Sequence, residues 1–198
     1  MHLGDLTVYA DGRFARYDDA KVGLLTHGLQ YGTGCFEGVR GFWSAREEEL
    51  YLLKLADHFD RLAQSARILM IELPHSTREL CDLTVEICAR NNFRSDVYVR
   101  PFAYKANEDV GVRLHGVKDA FAMVAIPFER YFDSDRGLRV GVSSWRRIDD
   151  TMAPARAKIT GTYVNSALAK SEAVMNGFDV AIMLLAESHV CEGSAENG

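Results

Sequence analysis

Proline and cysteine are both scarce in this chain, with four of each among 198 residues. No Pro/Gly-rich linker, low-complexity tract or internal repeat divides it, so a domain boundary has to be read from changes in pattern. Cys81 and Cys88 sit seven apart in a predicted helix, which at ~1.5 Å rise per residue separates their Cα atoms by about 10 Å, too far for a disulfide. No CxxC pair is present, which argues against a zinc site and leaves no metal expected. Reduced thiols are the default. There is no apolar run of the roughly 20 residues a membrane span requires, and the start, MHLGDLTVYADGRF, lacks a basic stretch followed by an apolar one. A cytoplasmic protein with no membrane partner is the expectation. Positive charge is also in short supply: 23 Lys plus Arg against 28 Asp plus Glu give a formal net charge of -5, no footprint for nucleic acid or an anionic surface.

What is there is an ordinary globular composition, 47% apolar and 26% charged, in a chain long enough to bury a real core. The first half reads as mixed α and β. Leu55, Phe59, Leu62, Ala66 and Leu69 recur at steps of three and four, predicting an amphipathic helix over 54–70, with Arg61 off its apolar stripe. Ser76 and Glu79 form a capping-box pattern for a second helix, with Leu80, Leu83 and Ile87 as its stripe and Asn91 and Asn92 at its end. Residues 96–100 alternate, so Tyr98 and Arg100 share one face of a strand. AFAMVAIPF, 120–128, is a continuous apolar run suited to a strand covered on both faces. The polar stretch that follows suggests a boundary: a first domain over 1–130, a linker over 131–137 and a second domain from 138 to 198. In the latter, LRVGVSSW predicts a strand, 162–175 a helix capped at Gly177, and DVAIMLL a buried strand followed by a short return segment.

Three groups of residues carry chemistry. Lys158, in RAKIT with Arg156 two residues away, has a setting that permits Schiff-base chemistry, although a turn lysine is ordinarily a solvated surface residue. The segment Glu192-Gly193-Ser194-Ala195-Glu196-Asn197 offers a carboxylate for a protonated ring nitrogen and a glycine where a flat ring could approach; a solvent loop is its bland alternative. Tyr31-Gly32-Thr33-Gly34-Cys35-Phe36-Glu37-Gly38-Val39-Arg40 reads equally as a tight backbone beside a pocket or as a Gly-rich turn, and it lacks the lysine of a Walker loop.

Together these segments are more specific than any one of them. HGLQYGTGCFEGVR, HFDRLAQSARIL, VYVRP, SSWRRIDDTMAPARAKITGTYVNSALAKSEA and CEGSAEN, in that order, resemble the class IV pyridoxal-phosphate-dependent aminotransferases, and among them the branched-chain amino acid aminotransferases. The resemblance implies a two-domain α+β or α/β chain of fold type IV with the second domain incomplete, since members are longer and continue EGSAEN into further strands.

It also implies an enzyme, a transaminase that uses pyridoxal phosphate to move the amino group of leucine, isoleucine or valine to 2-oxoglutarate, giving glutamate. By motif position Lys158 is the Schiff-base lysine and general acid/base. Arg61 grips the cofactor phosphate, Tyr163 lies near its ring hydroxyl, Glu192 faces its ring nitrogen, and Gly193 adjoins it. Tyr31, Phe36, Gly38, Tyr98, Arg100 and Tyr131 correspond to the substrate pocket, Arg100 being the candidate for the second carboxylate of glutamate. A homodimer or larger homo-oligomer is implied as well. D-amino acid aminotransferases and aminodeoxychorismate lyases share the fold; VYVRP argues for the branched-chain group. An inactive truncated fragment is the alternative of a different class.

Overall fold

A computed structural model of the chain describes residues 2–128 and 137–194. The chain splits into two compact units, Met1–Glu129 with Ala157–Thr160, and Arg130–Arg156 with Gly161–Gly198. The sequence reading grouped Lys158 with residues 138–198; its four-residue stretch packs in the first unit, where Ala157 and Ile159 join the core. Of the linker expected over 131–137, only Gly137 falls among the described residues.

The first unit opens with a hairpin, β1 (Thr7–Ala10) and β2 (Arg13–Arg16). Its turn is Asp11-Gly12, at φ 51° and 77°, the left-handed pair that matches strand twist in a two-residue loop. The Gly-rich segment that follows is not simply a turn. It contains the end of a short helix, α1 (His27–Tyr31), closed by Gly32 at φ 66°, and then β3 (Gly34–Phe36) and β4 (Val39–Ser44). A third short strand, β5 (Glu49–Leu52), pairs with β4.

Both expected helices form, as α2 (Leu55–Ile68) and α3 (Thr77–Arg90). Phe59, Leu62 and Ala66 of α2 are at most 1% exposed, each Phe or Leu contributing about 1.5–3 kcal/mol by burial. The Ser76–Glu79 capping box is present: the Glu79 amide donates to Ser76 Oγ at 3.4 Å and the Ser76 amide to Glu79 Oε2 at 2.8 Å.

The strand foreseen over 96–100 runs further, as β6 (Val97–Lys105), and pairs along its length with β7 (Asp119–Pro127). Pro101 interrupts nothing. In an antiparallel strand a residue's N–H and C=O point to the same side, and the Pro101 carbonyl accepts from the Glu37 amide at 3.0 Å. The missing N–H thus falls where β6 passes from pairing with β4 to pairing with β3. The sheet order is β2-β1-β7-β6-β4-β5, with β3 also on β6. β7 departs from expectation. Phe121, Met123 and Ala125 are buried, but the alternate residues are only half-buried, so one face is covered and not both.

The second unit is a β-α-β crossover with a return strand. β8 (Val140–Arg146) lies parallel to β9 (Val180–Leu184), joined through α4 (Tyr163–Met175), and β10 (Val190–Gly193) returns antiparallel to β9. Gly177, at φ 81°, follows α4 as the spacing predicts, and Ala169, Ala173, Ala181 and Met183 form the core. Among the described residues no helix is long and apolar enough to cross a membrane.

Candidate active site

In the first unit the site is built around residues 157–160, an extra strand-like segment against β3. Cys35 and Ile159 form an antiparallel bridge, the Lys158 carbonyl accepts from the Phe36 amide at 3.1 Å, and the Thr160 amide donates to the Gly34 carbonyl at 2.8 Å. On the other side the Lys158 amide donates to Oγ of Ser65, on α2, at 3.1 Å. With Ala157 and Ile159 buried, the backbone of Lys158 is held from both sides.

That side chain meets Phe36. Lys158 Nζ stands 5.2 Å from the ring centroid, and the Arg100 guanidinium carbon stands 4.2 Å from the same centroid. Arg100 also donates from Nη2 to the Tyr98 hydroxyl at 2.7 Å, so the shared face of Tyr98 and Arg100 holds as the alternation predicted. Gly38 lies against the Tyr98 ring so closely that a Cβ there would overlap its hydroxyl. Phe36, Gly38, Tyr98, Arg100 and Lys158 therefore belong to one constellation. Among the described residues Arg100 Nε is buried with no hydrogen-bond partner.

Arg61 faces a group the sequence reading overlooked. Its Nε and Nη2 donate to the two carboxylate oxygens of Glu37 at 2.5 and 2.7 Å, and His58 Nδ1 lies 2.8 Å from Glu37 Oε2. Glu37 is fully buried. Burial alone would raise its carboxyl, but the hydrogen bonds and charges of Arg61 and His58 outweigh that and hold it below the usual carboxylate range. Burial, with the Glu37 charge nearby, pushes the Cys35 thiol up to about 12. Tyr31 ends α1, its hydroxyl accepting from the Gly111 amide at 3.1 Å and its ring edge-on to His27. Tyr131 lies outside the described residues.

In the second unit, Tyr163 is the first residue of α4 and is half-buried. Glu192 and Gly193 lie on β10 rather than in a loop, Gly193 paired with Ile182 of β9. Glu192 forms an ion pair with Arg147, whose side chain is only 12% exposed. Arg147 in turn donates from Nη1 to Asn165 Oδ1 on α4 at 3.5 Å. Glu37, His58, Ser65 and Arg147 are the partners that sequence reasoning missed. The signal for Glu37 was an acid in an otherwise apolar and glycine-rich stretch, which burial would oblige to find cations.

A lysine amine and a guanidinium brought to one aromatic ring suit amine chemistry on a small carboxylate-bearing molecule. Residues 34–197 match the Amino-transferase class IV family, and the chain belongs to that family. It is 43% identical over 189 residues to a probable branched-chain-amino-acid aminotransferase of Aquifex aeolicus, covering 96% of this chain and 61% of that protein. Among solved structures it superimposes on the branched-chain aminotransferase of Thermoproteus uzoniensis with norvaline at a TM-score of 0.92 and 41% identity, covering 96% of this chain and 63% of that one. The branched-chain amino acid aminotransferase of Thermobaculum terrenum in its PLP form gives 0.89 at 32% identity, covering 98% and 63%. The fold is thus that of these aminotransferases. The chain spans 61% of the length of the first of these curated relatives and 64% of another.

Proposed function

We propose that this chain serves a branched-chain amino acid aminotransferase, transferring the amino group of leucine, isoleucine or valine to 2-oxoglutarate with pyridoxal phosphate as cofactor. The observation that carries the reading is the pair of cationic groups on Phe36, with Lys158 Nζ at 5.2 Å and Arg100 at 4.2 Å from the ring centroid. The family's printed relatives give it direction.

The residues present fit such a cofactor. Lys158 supplies a half-buried amine on a fixed backbone, Arg61 a braced guanidinium for a phosphate, and Glu192 a carboxylate whose charge Arg147 balances. By family likeness we assign Lys158, Arg61, Tyr163, Glu192 and Gly193 to cofactor binding. When bound, the cofactor supplies an electron sink for the substrate's Cα. Lys158 Nζ would hold it and move the Cα proton. Glu192 would hold a proton at the ring nitrogen. Arg100, oriented by Tyr98, binds the substrate carboxylate, while Phe36 and Gly38 shape the aliphatic side of the pocket, with Tyr31 and Tyr131 assigned to it by family likeness. The two-domain division, a homo-oligomer of at least two chains and a cytoplasmic setting belong to the same proposal. Exposed Leu24, Val110 and Val112 support a partner surface.

The test is glutamate production from leucine and 2-oxoglutarate in the presence of pyridoxal phosphate, with Lys158→Ala as control. Glutamate that disappears in the variant supports the proposal. Cofactor binding through Lys158 without glutamate, or turnover of D-alanine in its place, would overturn the substrate assignment.

A further inference from the structure

Glu37 is used by none of the roles assigned above, yet both of its carboxylate oxygens are bonded within the first unit. Its side chain is 0% exposed, while that of Arg61, to which it is bonded twice, is 52% exposed. Oε1 accepts from Arg61 Nε at 2.5 Å. Oε2 accepts from Arg61 Nη2 at 2.7 Å and from the Gly38 amide at 3.3 Å, with His58 Nδ1 2.8 Å away. A carboxylate in a core is a poor stabiliser by itself, since desolvation offsets most of its attraction and apolar packing would do as well. What two-point bonding provides is geometry: it fixes the plane and direction of a guanidinium, as a single contact does not. Glu37 does this from the two-residue link between β3 and β4, where the Glu37 amide also donates to the Pro101 carbonyl at 3.0 Å, and His58 from α2, on a side chain that still reaches solvent.

We propose that Glu37, supported by His58, is a positioning residue that sets the Arg61 guanidinium for a phosphate monoester, that of the cofactor proposed above; the inference rests on that cofactor reading. The guanidinium has five N–H donors, of which the carboxylate takes two. Pairing with Glu37 lowers the net charge an anion meets, so the gain is orientation: Arg61 is already in place when the phosphate arrives and loses little freedom on binding.

The experiment compares two probes on the 198-residue chain by visible absorbance titration: pyridoxal phosphate, and pyridoxal, which has the same ring and aldehyde without the phosphate. Glu37→Gln is expected to weaken pyridoxal phosphate about tenfold while leaving pyridoxal unchanged. Arg61→Ala should weaken it at least as much, and the double variant should be no worse than Arg61→Ala alone, because the carboxylate acts only through the guanidinium. Equal losses for both probes, or additive losses in the double variant, would make Glu37 merely structural and overturn the inference while leaving the cofactor reading standing. Binding of neither probe by the unaltered chain would sink that reading and the inference together. If Glu37→Gln does not fold, His58→Gln keeps the buried ion pair and should show a smaller loss confined to pyridoxal phosphate; an unchanged ratio of the two affinities would again overturn the inference.

Discussion

The backbone N–H of Lys158 donates to the hydroxyl of Ser65 at 3.1 Å, across 93 residues of sequence. This bond ties the segment that carries Lys158 to the buried face of α2, and its loss leaves a donor without its acceptor. Ser65→Ala is therefore expected to lower stability by about 1–3 kcal/mol, measured by urea unfolding. An unchanged midpoint would mean that other contacts suffice to hold the segment.

Glu37 gives a pH dependence with a definite sign. Its carboxyl lies below the usual range in the folded chain, so its contribution to stability is present above the unfolded value of about 4.3 and is lost as pH falls through the folded value. At neutral pH Glu37→Gln should cost about 1.5–3 kcal/mol, because it removes charge-assisted hydrogen bonds to a guanidinium that is itself half-exposed. That gap should narrow progressively in melting experiments below about pH 5. A gap independent of pH would show that the residue is neutral in the folded state.

Gly38 is where the pocket has no room. A methyl group there would displace the Tyr98 hydroxyl and with it the 2.7 Å bond that orients Arg100. Gly38→Ala should reduce kcat/KM for leucine by roughly tenfold or more, with pyridoxal phosphate affinity unchanged. A loss of cofactor binding instead would place Gly38 in a different role.

Lys105 is a buried cation on β6. Its side chain is 2% exposed, and Nζ donates to the Met70 carbonyl at 2.5 Å and pairs with Asp119 at 2.7 Å. Lys105→Ala should destabilise by about 3–5 kcal/mol by stranding Asp119, whereas Lys105→Met with Asp119→Asn should lose less than the sum of the single changes. Additive losses would mean the two groups are not coupled.

The helices were legible because their periodicity is local. The spacing of Phe59, Leu62 and Ala66, and the Ser76–Glu79 box, needed nothing beyond a few turns of chain. β3 was hidden in the Gly-rich segment: it is only three residues long, and its partners, such as Tyr104 opposite Gly34, lie far along the sequence. The Asp11-Gly12 turn was a local signal that went unread. β7 looked doubly covered because alanines and a valine on its outer face are apolar yet only half-buried. Alternation correctly joined Tyr98 to Arg100, and likeness to the family picked out Lys158. The partners of the expected residues were out of reach. Glu37 bonds Arg61 across 24 positions, and Arg147 meets Glu192 through strand pairing that no spacing rule expresses.

The most direct test of the central claim is the visible absorbance spectrum of the purified chain with pyridoxal phosphate, recorded beside Lys158→Ala. A band that requires Lys158 and bleaches when leucine is added is the predicted result. An identical spectrum from the two proteins, or a lysine-dependent band indifferent to leucine, would contradict it.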